Sequence, residues 1–327
     1  MPAEWQPHER CVMAWPTVER AVFWDGLVDQ ARGAWADVAN AIVQFEPVTM
    51  IANAPDLGRC VELCAPEVEV IAIPIDDCWT RDSGPIVMTS LNGQRVGAHF
   101  GFNAWGSKFP TYANDAAMPV ALCEHLGLAR KQAPFILEGG SVAVDGNGLL
   151  VTTERCLLNP NRNPHLSKAE IESLLCDWLG VSTVVWLSDG IVEDDGTDGH
   201  IDNVVAFVGP GECVLQGCDD PTNPNHAQAS DNRQRLEAAG IVVHELPVLP
   251  YATVNGQDWP VPYLNFYVAN GGIVVPVNDH AADSDTLAMI ETLLVGRRAV
   301  GVPGAILAAG GGGVHCITQQ IPVVLPG

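Results

Sequence analysis

The chain has 327 residues, of which 47% are apolar and 17% charged, enough for a large core in one or two domains. Its net charge of −23 argues against nucleic acid or an anionic membrane as a partner and favours a small cation, although solubility alone would explain it. No apolar run approaches the roughly 18–20 residues of a membrane span, and no signal peptide is evident, so we expect a cytoplasmic protein.

The first part of the chain carries both helix and strand patterns. Residues 25–45 have apolar residues at helical spacing, whereas 47–52 and 68–74 are short apolar runs that predict strands. The whole chain contains 24 prolines and 32 glycines, which indicate many turns and therefore many short strands. We therefore expect an α/β fold.

One hairpin pattern then recurs: a polar residue, a short apolar run, a Gly or Asn turn, and a second apolar run. Turns such as LNGQ, DGNG, GPGE and NGG are hairpin signals. The copies cover residues 81–100, 137–154, 199–217, 264–277 and 315–327, and the fifth copy is shorter than the others. We expect five similar units along the chain.

The polar residue that opens each hairpin is called here its lead residue: Asp82, Glu138, Asp202, Asn265 and Cys316. Successive lead residues are 56, 64, 63 and 51 positions apart, close to one fifth of the chain. Similar units of this kind suggest radial repetition around an axis. Such an arrangement would bring the lead residues together at one end of the molecule.

Helical patterns lie between the hairpins. Residues 167–180 begin with a capping box formed by Ser167 and Glu170, and 284–296 show helical spacing. Residues 217–232 are polar and predict a long surface loop. No stretch has the composition of a linker, so we expect a single catalytic domain over 1–327.

Cys316 differs from the other nine cysteines in its surroundings. No C-x-x-C spacing occurs, which argues against a zinc cluster and predicts free, mostly buried thiols. Four glycines, 310–313, precede Cys316 and allow backbone to approach a ligand closely or to adopt positive φ. The glycines do not form a phosphate loop, because no Lys-Ser/Thr follows them. A flexible connector beside a buried thiol is the simpler interpretation.

Three further lead residues stand in polar motifs. His200 and Asp202 are two positions apart in DGTDGHIDN, so on a strand they would share one face. Asp82 opens the first hairpin, and Glu138 precedes two glycines at the same phase. A solvated acidic loop and ordinary turn residues would also explain these motifs. A metal site could use His-x-Asp, but no further histidine stands at ligand spacing.

Taken together, these residues suit chemistry on a planar cation. A cysteine nucleophile, a histidine acid/base, a carboxylate that orients the histidine and two more carboxylates form a consistent set. A guanidinium group presents paired N–H donors that fit carboxylates two at a time. Two carboxylates gripping it would hold its central carbon over the thiolate.

The motifs that hold these residues resemble those of the agmatine deiminases, a family of the guanidino-group-modifying (pentein) superfamily that includes bacterial peptidylarginine-deiminase-like proteins. The similar blocks are MPAEWQPHE, AWP, WTRDSGP, GFNAWG, EGGS, DGHIDN, LNFYVANGG and GGGGVHCITQQIP. They run in order along almost the whole chain. The resemblance implies a five-bladed pseudo-symmetric α/β-propeller of repeated ββαβ-type units around a central active site.

The resemblance also implies roles for the lead residues. Cys316 would attack the guanidinium carbon, and His200 would protonate the departing ammonia and then activate water. Glu138 would orient and polarise His200, while Asp82 and Asp202 would bind the guanidinium nitrogens. The products would be N-carbamoylputrescine and ammonia, formed without a metal or cofactor.

The substrate's tail is a separate question. By the same resemblance, Trp79 and Trp105 would form walls for the methylene chain. An acidic residue usually precedes the threonine of the T-x-G-H-x-D block, but this chain has Gly196 there. Asp195 could substitute through a small loop shift, and Asp198 is a further candidate. Otherwise the tail contact is lost and the substrate is another guanidino compound.

Several alternatives remain open. Within the superfamily these are a deiminase of arginine, of peptidylarginine or of another alkylguanidine, and an amidinotransferase. From other classes, a metal-dependent hydrolase would use His200, Asp202 and Asp82, and a propeller that binds a cation would need no chemistry. The expected partner is a small cationic guanidino compound, and a homo-oligomer is an expectation from the family.

Overall fold

The computed structural model describes residues 1–18, 26–89 and 93–324. Three small parts of the sequence predictions lie outside the described residues: the start of the first helix at 25, the turn residues 91–92 and the end of the fifth hairpin. The chain has a mixed α/β fold, as the alternation of strand and helix patterns predicts.

The strands are short, as the Gly and Pro content indicates. In chain order they are β1 (His8–Ala14), β2 (Val48–Ala52), β3 (Glu69–Ala72), β4 (Ile86–Thr89), β5 (Arg95–Gly101), β6 (Ala129–Ile136), β7 (Ala143–Val144), β8 (Leu149–Thr153), β9 (Thr183–Leu187), β10 (Val205–Gly209), β11 (Glu212–Gln216), β12 (Val242–Leu246), β13 (Tyr251–Val254), β14 (Gln257–Pro260), β15 (Tyr267–Val268), β16 (Gly272–Val277), β17 (Arg298–Pro303) and β18 (Thr318–Pro322).

The helices alternate with the strands. They are α1 (Val28–Ile42), α2 (Leu57–Leu63), α3 (Thr80–Ser83), α4 (Ala113–His125), α5 (Glu154–Leu157), α6 (Lys168–Leu179), α7 (Asn225–Ala238), α8 (Asp283–Leu293) and α9 (Ala305–Ala309). Within the described ranges, no helix combines the length and the apolar character that crossing a membrane requires.

Five sheets in the described part of the chain share one plan. A first strand pairs antiparallel with a second, and the second pairs parallel with a third, in the orders β4-β5-β6, β7-β8-β9, β10-β11-β12, β15-β16-β17 and β18-β1-β2. The last of these sheets is extended by β3. A parallel pair requires a crossover, and a helix lies between the second and third strands of every unit.

Helix α6 shows how the sequence specifies one of these crossovers. Its predicted capping box is confirmed, because the Ser167 hydroxyl accepts from Glu170 N and the Glu170 carboxylate accepts from Ser167 N. The helix buries Ile171 and Leu175 against the sheet, and it ends at Gly180, whose φ of 67° is readily adopted by glycine. Strands predicted over 47–52 and 68–74 are likewise confirmed as β2 and β3.

Two parts of the fold differ from the sequence predictions. The predicted loop over 217–232 is wrong in its second half, because α7 begins at Asn225. This helix buries asparagine and alanine alongside one leucine, so its buried face has no apolar periodicity. The hairpin β13-β14 lies outside the repeated plan and was not predicted, although an Asn255-Gly256 turn connects its strands.

Candidate active site

The lead residues stand in the turns that precede the first strands of the five sheets. Asp82 lies in α3, Glu138 precedes the 3₁₀ turn Gly139–Ser141, and Asp202 lies in the 3₁₀ turn Ile201–Asn203. The strand predicted through His200 and Asp202 is therefore wrong, because β10 begins only at Val205. All of the lead residues are buried. Asn265 donates to Asp202 O and to Cys316 Sγ, and the Cys316 thiol donates to Asp202 Oδ2.

Cys316 contacts two other lead residues. Its Sγ atom accepts a hydrogen bond from Asn265 Nδ2 at 3.2 Å, and it lies 3.4 Å from Asp202 Oδ2, to which the thiol donates. Burial raises the pKa of the thiol well above its usual range, and the carboxylates of Asp202 and Asp82 raise it further. These effects favour the neutral thiol, and a positive charge beside the sulfur would favour the thiolate.

His200 lies between two carboxylates. Its Nδ1 is 3.8 Å from Asp82 Oδ1, and its Nε2 is 4.0 Å from Glu138 Oε2. Burial opposes the imidazolium, but Asp82, Cys156 and Glu138 outweigh burial and raise the pKa of His200 well above its usual range. The shift favours the imidazolium, which is the form of His200 that can donate a proton.

The two carboxylates predicted to bind the guanidinium have different partners. Asp82 Oδ1 accepts from Gly140 N and Asp82 Oδ2 accepts from Trp105 Nε1, both at 2.9 Å. Burial raises the pKa of Asp82. Asp202 Oδ2 lies 2.9 Å from His315 Nδ1. Burial raises the pKa of Asp202, but His315, His200 and the Cys316 thiol together outweigh burial and lower it. Asp202 Oδ1 is buried and has no hydrogen-bond partner among the described residues.

Two glycines allow these groups to approach one another. A Cβ atom at Gly140 would lie 2.7 Å from His200 Nδ1 and 2.9 Å from carboxylate oxygens of Asp202 and Asp82. A Cβ atom at Gly312 would lie 2.5 Å from the Trp79 ring and 3.1 Å from Cys316 Sγ. Any side chain at either position would displace a group of the site.

A cavity of about 310 Å³ opens onto Cys316 and Asp82. Its other lining residues are Asp77, Trp79, Trp105, Phe109, Ile191, Glu193, Asp194, Gly196, Thr197, Asn203, Trp259, Pro260, Pro262 and Ala308–Gly312. None of the described lining residues is lysine or arginine. The cavity therefore combines aromatic walls with carboxylates and a thiol.

The family model described as Porphyromonas-type peptidyl-arginine deiminase matches residues 1–322. The chain belongs to this family. It is 40% identical over 352 residues to the agmatine deiminase of Pseudomonas aeruginosa (strain LESB58), and the alignment covers 98% of this chain and 95% of that protein. Identity to the agmatine deiminase of Pseudomonas putida (strain F1) is 39% over the same length, with the same coverage.

Solved structures agree with these sequence likenesses. The agmatine deiminase of Enterococcus faecalis has a TM-score of 0.94 at 34% identity, covering 99% of this chain and 96% of that chain. A substrate-bound agmatine deiminase of C. jejuni has a TM-score of 0.92 at 26% identity, covering 100% and 96%. The family predicted from the motif blocks is thereby confirmed.

The two aspartates predicted to contact the substrate's tail, Asp195 and Asp198, bond basic side chains of the protein instead. The Asp195 side chain is 92% exposed, bonds Arg155 Nη2 at 2.6 Å and does not line the cavity. Asp198 bonds Lys108 Nζ at 2.8 Å and also contacts Arg162. The carboxylates that do line the cavity in this segment are Glu193 and Asp194.

Trp105 lines the cavity from an unusual turn. Ala104, Trp105, Gly106 and Ser107 all have positive φ, so the backbone makes one left-handed turn, and Asn103 Oδ1 accepts from Gly106 N at 2.9 Å. A left-handed conformation costs roughly 1–2 kcal/mol for each residue other than glycine. The turn aims the indole N–H at Asp82, so the strained backbone serves the site.

Sequence reasoning missed Arg162, which lies in the motif NPNRNP. Its Nε atom bonds Glu138 Oε1 at 3.0 Å, and neither side chain is exposed. Arg162 Nη2 also donates to Thr197 O at 2.9 Å. Arg162 therefore fixes Glu138 and ties it to the segment that carries His200. A lone arginine among asparagines and prolines gives no signal of this role.

Among the described residues, one group of side chains could share a metal ion. The ligand atoms of Glu138, Cys156 and His200 lie within 4.8 Å of one another and are buried. Their donor types suit zinc. The Arg162 guanidinium pairs with the Glu138 carboxylate, and its positive charge opposes the binding of a metal cation beside Glu138. That no metal takes part in the reaction stays a prediction.

Proposed function

We propose that the chain hydrolyses agmatine to N-carbamoylputrescine and ammonia through a covalent intermediate on Cys316. The observation that carries this proposal is the charge of the cavity. The carboxylates of Asp77, Asp82, Glu193 and Asp194 line it together with the thiol, and its described lining contains no basic side chain. Such a cavity favours a ligand with a positive charge at each end, as agmatine has.

The first half of the reaction follows from the contacts of Cys316. A guanidinium held by Asp82 and Asp202 brings positive charge to the thiol, which favours the thiolate. The thiol proton passes to solvent, and the sulfur attacks the central carbon, forming a C–S bond as the C=N π bond breaks to give a neutral tetrahedral adduct. His200 gives its proton to one nitrogen, the C–N bond breaks, and ammonia leaves.

The second half reverses these roles. His200, now neutral, takes a proton from water as the water oxygen attacks the thiouronium carbon. The C–S bond then breaks as the hydroxyl proton of the adduct is released, so that the ureido product leaves and the Cys316 thiolate takes up a proton. Glu138, held by Arg162, faces His200 Nε2 and stabilises the imidazolium each time it forms.

The tail ammonium is assigned to Glu193, which lines the cavity where Gly196 offers no side chain. Glu193 accepts from Tyr251 Oη at 2.8 Å and from Asn225 Nδ2 at 2.7 Å. A carboxylate can accept about four hydrogen bonds, so it can also accept from an ammonium. Asp194 is less available, because its oxygens accept from Thr197 and from His200 N.

For the fold, we propose a five-bladed α/β-propeller formed by one catalytic domain over 1–327. The shared plan of the five sheets supports it, as does the pairing of β18 with β1, which joins the two ends of the chain in one unit. A cytoplasmic location and a homo-oligomer stay predictions.

The experiment is a panel of guanidines assayed for ammonia release: agmatine, arginine, a peptidylarginine and an alkylguanidine without the terminal amine. Agmatine should have the highest kcat/KM. Arginine should be poorer because its α-carboxylate would face the acidic cavity, and Arg81, which bonds Glu4 and His315 O, does not line that cavity. Equal turnover of the guanidine without an amine would refute agmatine as the substrate and leave deimination intact.

A further inference from the structure

A second buried histidine lies beside the nucleophile and has no part in the steps above. His315 directly precedes Cys316, and its residue is 7% exposed. Its Nδ1 is 2.9 Å from Asp202 Oδ2, and its Nε2 is 2.9 Å from Glu4 Oε1. The ring therefore bridges the site to the N-terminal segment of the chain.

This geometry defines the charge of the ring. A carboxylate only accepts hydrogen bonds, so both ring nitrogens must carry a proton to satisfy both contacts. The charged groups that face His315 among the described residues are Glu4, Asp202 and Arg81. Burial and Arg81 oppose protonation, but Glu4 and Asp202 outweigh them and raise the pKa of His315.

The consequence falls on Asp202. His315 occupies Oδ2, while Oδ1 remains buried without a hydrogen-bond partner among the described residues. Asp82 provides the contrast, because both of its oxygens accept from the protein and burial raises its pKa. Of the two carboxylates proposed to bind the guanidinium, Asp202 is thus the one that combines an ion-paired negative charge with an oxygen that has no hydrogen-bond partner among the described residues.

We propose that His315 is a positioning residue that acts through Asp202, an inference that rests on the function proposed above. Held between Glu4 and Asp202, its imidazolium keeps Asp202 ionised and turned so that Oδ1 binds the guanidinium. Arg81 completes the set, since it contacts Glu4 Oε1 at 3.3 Å and donates to His315 O. Two anions and two cations are then paired in a buried place where an unpaired charge would be costly.

The test compares H315N with H315Q. An Asn amide nitrogen stands near the position of Nδ1 and keeps the hydrogen bond to Asp202, whereas Gln reaches toward the position of Nε2; both are neutral. We expect kcat/KM for agmatine to fall about 10- to 100-fold in H315Q, the range for losing one hydrogen bond to a charged group, and to fall less in H315N.

The pH profile separates positioning from folding. Asp202 has its pKa lowered by the imidazolium, so removing that charge lets Asp202 take up a proton at higher pH. The acid limb of kcat/KM should therefore move to higher pH in both variants. H244Q is the matched control, because His244 pairs with Glu212 Oε1 at 2.6 Å away from the cavity, and its acid limb should not move.

A second readout does not depend on agmatine. Chloroacetamidine carries a cation where chloroacetamide has an oxygen, and mass spectrometry can measure how fast each alkylates Cys316. The rate with chloroacetamidine divided by the rate with chloroacetamide should fall in H315Q and in H315N. Folded variants with an unmoved acid limb and an unchanged ratio would overturn the role of His315. If H315Q does not fold, the same two measurements on H315N test the role of His315. If the wild type fails to hydrolyse agmatine, the proposed substrate is refuted, but the alkylation ratio still tests the role of His315.

Discussion

The reaction centre and the outer wall of the cavity are built in different ways. The proposed reaction centre, consisting of Cys316, His200, Glu138, Asp82 and Asp202, comes from equivalent turns of repeated units, and these turns lie close together. The outer wall comes from segment 191–197 and from the hairpin β13-β14, which lies outside the repeated plan. Under the proposed function, the reaction depends on residues of the repeated units, and the choice of substrate depends on segments outside the repeated plan.

The largest expected effect is at the nucleophile. C316A should lower ammonia release by more than about 10⁴-fold, because no other thiol lines the cavity among the described residues. C176A is the matched control, since Cys176 is the half-buried cysteine of α6 and should retain activity. Near-normal ammonia release by folded C316A would move the chemistry away from the proposed centre.

A smaller but still large effect is expected from crowding the reaction centre. G140A would place a methyl group against His200, Asp202 and Asp82. A displacement of about 1 Å there is expected to lower kcat about 10²-fold. G33A is the control: Gly33 lies in α1 with no atom within 4 Å of its Cβ position, so alanine should raise stability by roughly 0.5–1 kcal/mol. Equal kcat in both variants would contradict the close packing.

The smallest effect is expected at the outer wall. E193Q should raise KM for agmatine with little change in kcat, because Glu193 would bind the tail and not the reacting atoms. Glu193 is exposed, so the loss is about 1 kcal/mol, or about fivefold. D195N should leave KM unchanged, since Asp195 bonds Arg155 outside the cavity. A raised KM in D195N with an unchanged KM in E193Q would instead indicate that Asp195 binds the substrate's terminal ammonium.

The position of the lead residues could be predicted because they recur at one phase of a hairpin pattern, and Asp82, Glu138, Asp202 and Cys316 all stand in the turns where that pattern places them, whereas their catalytic roles stay a proposal. His315 could have been suspected from its place beside Cys316. Glu4 and Arg162 could not, because their roles arise from contacts between distant segments.

The outer wall was harder to predict for a physical reason. Its hairpin breaks the repeat, and α7, whose Asn225 holds Glu193, buries polar and small side chains that leave no apolar period. Trp105 was predicted as a wall, but neither the left-handed turn that presents it nor its hydrogen bond to Asp82 is evident from sequence spacing.

The most direct test of the account is to quench agmatine turnover with acid and to examine the peptide containing Cys316 by mass spectrometry. The covalent mechanism predicts an adduct on Cys316 with the mass of agmatine less one ammonia, present only while substrate remains. Ammonia release at a steady rate with no adduct on Cys316, or with the adduct on another residue, would contradict the covalent mechanism.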